Sequence, residues 1–107
     1  MVAAPVPAEL RQFSDPTLLV LCSLAGGPKH GYAIIGDVER FAGVTLGPGT
    51  LYGALARLQR LGLVERLERE DRRQPYRLSE LGARALRAQL DGLRRVSRTA
   101  ARRLAVG

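Results

Sequence analysis

A mostly α-helical chain carrying one small β-hairpin is the fold class that this sequence predicts. Three observations point to it. Before residue 62 there are three apolar-periodic segments, each followed by glycine; over Leu63 to Leu78 the period falls from helical to alternating; and a long Arg- and Ala-rich segment with a leucine repeat fills the remainder. The chain has 107 residues, 46% of them hydrophobic, which suits one domain with a modest core that gains much from a partner.

Residues 1–8 read as a tail, because Pro5 and Pro7 block regular structure. Glu9 to Phe13 adds a short helical turn with Leu10 and Phe13 on one side. Ser14-Asp15-Pro16 then supplies a cap followed by proline at a first helical position, which predicts a helix to about Ala25, ended by Gly26-Gly27-Pro28. That helix is apolar nearly all round, so it belongs at the centre. A second helix starts near His30 or Gly31 and runs to about Phe41, with Tyr32, Ile35 and Val38 spaced to face the first, Ile34 a secondary candidate for that face, and Gly43 as its stop. Pro48 opens the third, in which Leu51, Leu55 and Leu58 recur at i, i+4 and i+7 with Ala54 and Leu61 alongside, and Gly62 closes it.

Leu63 to about Glu70 and Gln74 to Leu78 read as a two-stranded hairpin across the charged turn Asp71-Arg72-Arg73. Pro75 cannot donate to a ladder, so its strand lies at an edge or begins there. Ser79 caps the last helix, with Glu80 in the first turn where the macrodipole favours an anion. Leu86, Leu90, Leu93, Ser97, Ala100 and Leu104 follow at spacings of 4, 3, 4, 3 and 4, a heptad seam for dimerisation in which Gly92 and Ser97 are weak points. The alternative is that this helix folds back on its own domain. Two helices joined by a short connection and followed by a hairpin make a winged helix-turn-helix over residues 9–78, with a C-terminal dimerisation helix over 79–107.

Net charge is +7, and sixteen of the seventeen cations are arginine, since Lys29 is the only lysine. Residues 1–64 carry five cations against four acids and residues 65–107 twelve against six, so the excess sits in the second part. Such a balance calls for a polyanionic partner, and the arginine fork suits phosphate and guanine edges. With Leu51, Leu55 and Leu58 inward, the opposite side of the third helix carries Gly49, Gly53, Ala56 and Arg60, flanked by Thr50, Tyr52, Arg57 and Gln59. The small side chains let that backbone approach the floor of a major groove in double-stranded DNA, and its N-terminal amides face phosphate.

Thr50 either contacts phosphate or caps the helix; Tyr52 either contacts phosphate or packs on the wing with its hydroxyl wet. Lys29, His30 and Tyr32 cluster where a helix-turn-helix crosses the sugar-phosphate backbone. His30 is a phosphate contact, a pH switch or a capping residue, and capping or local hydrogen bonding is favoured. Arg72 and Arg73 at the hairpin tip and Arg77 on its return strand complete the DNA set, opposed by Glu68, Glu70 and Asp71.

Enzyme chemistry finds little support. One histidine and one cysteine preclude the usual His and Cys metal cluster, no serine sits in a nucleophile elbow, and Gly47-Pro48-Gly49 lacks the lysine and preceding strand of a nucleotide loop. No cofactor is expected. Cys22 lies in the apolar run Leu18 to Cys22 and reads as a small buried hydrophobe in a reducing cytoplasm; that run is too short to span a bilayer, and the N-terminus lacks the basic residues of an export signal. A small hydrophobic or aromatic effector would lodge between subunits near Leu10, Phe13, Leu90, Leu93 and Val96. A winged-helix module for protein partners is the rival function.

The chain resembles the PadR family of bacterial transcriptional regulators. The resemblance rests on Gly27-Pro28-Lys29-His30-Gly31-Tyr32-Ala33-Ile34, on Gly47-Pro48-Gly49-Thr50-Leu51-Tyr52-Gly53-Ala54-Leu55, on Arg57-Leu58 with Gly62-Leu63-Val64, and on Tyr76-Arg77-Leu78-Ser79-Glu80-Leu81-Gly82, covering about residues 16–86. It implies a dimeric winged helix-turn-helix repressor on a palindromic operator, often near its own gene, released by a small molecule. It also implies phosphate contact by Tyr52 with Thr50 beside it, and a single C-terminal dimerising helix. Two features depart from the family: the wing keeps one aromatic, Tyr76, where paired aromatics are common, and the final helix has no tryptophan on which an aromatic ligand would stack.

Overall fold

The computed structural model describes Pro7 and residues 15–106. The expected tail, the turn over Glu9 to Phe13 and the Ser14 half of the first cap lie outside the described residues, apart from Pro7, which is exposed and in no regular element. Helix α1 (Pro16–Ala25) starts at Asp15, whose carboxylate accepts hydrogen bonds from Thr17 N at 3.0 Å and Thr17 Oγ1 at 2.8 Å. Pro16 at the first helical position costs nothing, because that amide has no intrahelical acceptor. Leu19, Val20, Leu21 and Leu24 bury fully, and every other helix as well as the sheet packs on α1, so its all-round apolarity is satisfied at the centre.

A two-residue strand β1 (Lys29–His30) leads into α2 (Gly31–Ala42), which Gly43 ends in the left-handed region at φ 66°. Ile34 and Val38 are fully buried and Ile35 partly so. Tyr32 does not face α1 as its spacing suggested: it is 77% exposed. It lies two positions before Ile34, about 200° around the helix, so burying Ile34 and Val38 turns Tyr32 to solvent. The two helices are also tied by polar groups. Ser23, 1% exposed, donates to Asp37 Oδ2 at 2.8 Å, and Lys29 Nζ lies 4.0 Å from the same oxygen.

Helix α3 (Pro48–Arg60) begins at Gly47 and buries Leu51, Ala54, Leu55 and Leu58 against α1, as the i, i+4, i+7 pattern requires. Leu61 departs from that expectation. It is the C-cap residue, past the end of the helix, and stays 64% exposed at the rim of a groove of about 280 Å³ between α1, α3 and α4. Gly62, at φ 74°, then reverses the chain.

The wing is a three-stranded antiparallel sheet in the order β1-β3-β2, where the sequence predicts two strands. Strands β2 (Val64–Arg66) and β3 (Pro75–Leu78) pair Val64 with Leu78, Glu65 with Arg77 and Arg66 with Tyr76, while β1 pairs Lys29 with Tyr76 and His30 with Pro75. Both long strands are shorter than predicted, and β3 is central, so of the two positions open to Pro75 it takes the first residue of its strand. The missing Pro75 amide is replaced in kind. Leu67 N donates to Pro75 O at 3.0 Å, and Leu67 O, which Pro75 cannot reach, accepts instead from Gln74 Nε2 at 2.6 Å. At the tip, Asp71 takes φ 53°, a turn conformation that a short acidic side chain tolerates.

Helix α4 (Glu80–Val106) starts at Ser79, whose hydroxyl accepts from Gly82 N at 2.9 Å and donates to Gly62 O at 2.7 Å. Its heptad seam divides. Leu86 is 6% exposed in the chain's own core and Leu90 packs against that core, whereas Leu93, Ser97, Ala100 and Leu104 are exposed. Its first three turns therefore belong to the globular unit and the rest projects from it, which accounts for the elongated extents of 56 × 27 × 20 Å. No helix among the described residues is long and apolar enough to cross a membrane.

Candidate nucleic-acid interface

Once α3 has buried its leucines, the residues on its other side are Gly49, Thr50, Tyr52, Ala56, Arg57 and Arg60, all exposed, with Gly53 and Gln59 half-buried. A Cβ at Gly49 or Gly53 would meet no described residue within 4 Å, so among the described residues nothing obstructs this flank. Thr50 and Tyr52 sit in the first turn and a half of the helix, beside its free amides. Gly47 provides no side-chain cap, so those amides keep their capacity for an anion.

Beside α3 lies a concave groove of about 520 Å³ between the start of α2 and the wing, lined by His30, Gly31, Tyr32, Tyr52, Arg69, Arg72, Arg73 and Gln74. The fold thus brings together His30, Tyr32, Tyr52, Arg72 and Arg73 from three elements distant in sequence. Arg69 joins them although sequence reasoning missed it; its position opposite the basic turn of a hairpin was the available signal. His30 occupies the N-cap position of α2 but makes no side-chain cap bond, and its Nε2 lies 3.5 Å from Arg73 Nη1. Tyr76 is buried behind this groove: burial pushes its phenol above the usual range, Arg66 opposes the shift and Tyr52 adds to it.

Two candidate cations are engaged inside the chain. Lys29 Nζ turns inward to Ser23 O at 2.5 Å and Gly27 O at 3.3 Å, satisfying carbonyls at the end of α1. Arg77 grips Glu65 Oε2 through Nη2 at 2.8 Å and Nε at 3.1 Å, the pair that β2–β3 register sets directly opposite. By contrast, Arg57, Arg60, Arg72 and Arg73 form no ion pair among the described residues.

Of the positions named for an effector, Leu10 and Phe13 lie outside the described residues. Leu93 and Val96 are exposed on α4 along a shallow depression with Gly92, whereas Leu90 is half-buried against the core and does not line it. Further along α4, Val96, Ala100 and Leu104 border a second apolar trough.

A helix-turn-helix whose second helix shows a bare, cation-flanked side, with a hairpin wing at its shoulder, defines the winged-helix class of transcriptional regulators. This chain belongs to the PadR-like family of transcriptional regulators, whose family model matches residues 20–88. Its members regulate transcription and are not enzymes. The chain is 46% identical over 84 residues to an uncharacterised 37.1 kDa protein in a transposon of Streptomyces fradiae, covering 78% of this chain and 24% of that protein. It is 35% identical over 74 residues to the transcriptional activator GvpE2 of Halobacterium salinarum, covering 69% of this chain and 37% of that one. The chain therefore spans only about a quarter of the length of the first of these curated relatives and 37% of the second. A crystal structure of a PadR family transcription regulator from Clostridium difficile superposes with a TM-score of 0.75 at 22% identity, over 83% of this chain and 97% of that one.

Proposed function

We propose that the chain is a cytoplasmic, homodimeric, effector-responsive repressor that binds a palindromic operator in double-stranded DNA. The observation that carries this reading is the outer side of α3: Gly49 and Gly53, on which no described residue packs, and the exposed Ala56, with Thr50, Tyr52, Arg57 and Arg60 around the edge. Such a surface lets helix backbone reach the major-groove floor, where arginine reads guanine, while its neighbours hold phosphate. The groove residues His30, Tyr32, Arg69, Arg72 and Arg73 take the adjoining backbone. Lys29 and Arg77, engaged internally, act on the site by holding its elements in place.

The exposed half of the α4 seam, Leu93, Ser97, Ala100 and Leu104 with Val96 beside it, pairs with a second copy. We set the working boundary between reading unit and dimerisation arm after Leu90 and not at residue 79, because Leu86 and Leu90 serve the chain's own core. A two-fold dimer then sets its α3 helices about 34 Å apart, one turn of DNA. The depression at Gly92, Leu93 and Val96, closed by the partner, is the place for a small hydrophobic or aromatic effector. A dimer seated across a promoter occludes it, and this supports repression.

A gel-shift titration against the DNA upstream of the chain's own operon, with random duplex as competitor at moderate salt, tests the proposal. A retained, steeply salt-dependent preference for the upstream fragment is expected, because displaced counterions demand a steep slope. Equal affinity for both duplexes, or flat salt dependence, would favour the rival function of a protein-interaction module.

A further inference from the structure

We propose that Gly31 is the positioning residue for Tyr52: the absence of a side chain at Gly31 lets the Tyr52 ring lie across the start of α2 and hold its hydroxyl at the mouth of the basic groove. The inference rests on the DNA-reading function above and adds to it a residue that touches no DNA. The reason for glycine here is steric. Gly31 is buried and its φ is not in the left-handed region, so the backbone itself would accept any residue. A Cβ on Gly31, however, would overlap Tyr52 Oη and lie 3.0 Å from Tyr52 Cζ and 3.3 Å from Leu51 Cδ2.

Which neighbour yields follows from burial. Leu51 is fully buried in the core, while Tyr52 is 47% exposed. A methyl group at position 31 therefore drives the Tyr52 ring outward and leaves the core leucine where it is. The hydroxyl then leaves the company of His30, Arg69, Arg72 and Arg73, where it stands ready to donate to a phosphate oxygen drawn in by the guanidiniums. Two short sequence stretches, His30-Gly31 and Pro48 to Tyr52, thus work as one unit.

The test is a double-variant cycle on the full chain, with Gly31→Ala, Tyr52→Ala and both together, read by duplex affinity and by thermal melting. Gly31→Ala and Tyr52→Ala should each weaken DNA binding about tenfold, the scale of one hydrogen bond to a charged group, and the double variant should bind no worse than Tyr52→Ala alone. In melting, Gly31→Ala should lower the midpoint of the parent chain but raise it in the Tyr52→Ala background, where the obstructing ring is gone and alanine restricts the unfolded chain. Undiminished weakening of DNA binding by Gly31→Ala in the Tyr52→Ala background, or unchanged affinity on Gly31→Ala alone, overturns the proposal. If Gly31→Ala does not fold, recovery of folding in the double variant supports it and failure of both refutes it. A parent chain without salt-dependent DNA affinity defeats the proposed function, and the melting cycle still decides the coupling of Gly31 to Tyr52.

Discussion

Gly53→Ala separates the two demands on α3 because it should move stability and DNA affinity in opposite directions. A Cβ at Gly53 would meet no described residue within 4 Å, and the residue sits inside α3 with helical neighbours on both sides. Replacing glycine by alanine at such a position stabilises a helix by about 0.8–1.0 kcal/mol. For a chain of 107 residues that corresponds to a rise in melting midpoint of roughly 4 °C or more. On DNA the same methyl group points at the groove floor. An extra methyl in a filled contact costs about 1–3 kcal/mol, so affinity for the operator should fall roughly 5-fold to 150-fold. Differential scanning fluorimetry and fluorescence anisotropy on one protein preparation read both quantities. A variant that is more stable and binds DNA as tightly as the parent would refute the claim that Gly53 makes the close approach.

Gly82→Ala should cost about 1–3 kcal/mol or more in a urea titration, because its Cβ would overlap the Leu63 carbonyl oxygen and stand 2.8 Å from Leu78 Cδ1, with backbone on one side that cannot move away. Lys29→Ala should lower stability by about 1–3 kcal/mol through the loss of its bonds to Ser23 O and Gly27 O, yet leave the salt slope of DNA binding unchanged; a slope shallower by about one would return Lys29 to the phosphate contacts. Leu104→Asp should shift the chain from dimer to monomer in sedimentation equilibrium, since a residue 81% exposed in one copy recovers about 1–2 kcal/mol when paired and a buried charge costs more. Burial raises the Cys22 thiol above its ordinary range, so the folded state holds its proton more tightly than the unfolded chain: the stability this contributes is complete below the ordinary thiol range and lost as pH rises through the raised one. Cys22→Ala should flatten part of that alkaline decline in urea midpoints.

The helices were legible because their signals are local. Pro16 and Pro48 mark starts, Gly43 and Gly62 take positive φ at stops, and the leucine spacing of α3 names its buried side without reference to any other element. What periodicity left open was decided by distant partners. Tyr32 shares a helix with Ile34 and Val38, and only the position of α1 determines which of them turns inward. Strand β1 has two residues, too few to show alternation, and exists because Tyr76 and Pro75 arrive from across the chain to pair with it. Leu86 and Leu104 look alike in the heptad repeat, but one meets the core and the other projects beyond it. The site followed the same division. The exposed side of α3 could be read residue by residue, whereas the inward turn of Lys29, the Arg77–Glu65 pair, the part played by Arg69 and the contact of Gly31 with Tyr52 all depend on tertiary approach.

Guanine N7 methylation protection across the upstream DNA shows whether α3 enters the major groove, since N7 is reached only from there. Two protected clusters about ten base pairs apart are expected, both lost when Arg57 and Arg60 are replaced by alanine. Specific binding with no guanine protected, or protection indifferent to those two arginines, would contradict the assignment of α3 as the reading element.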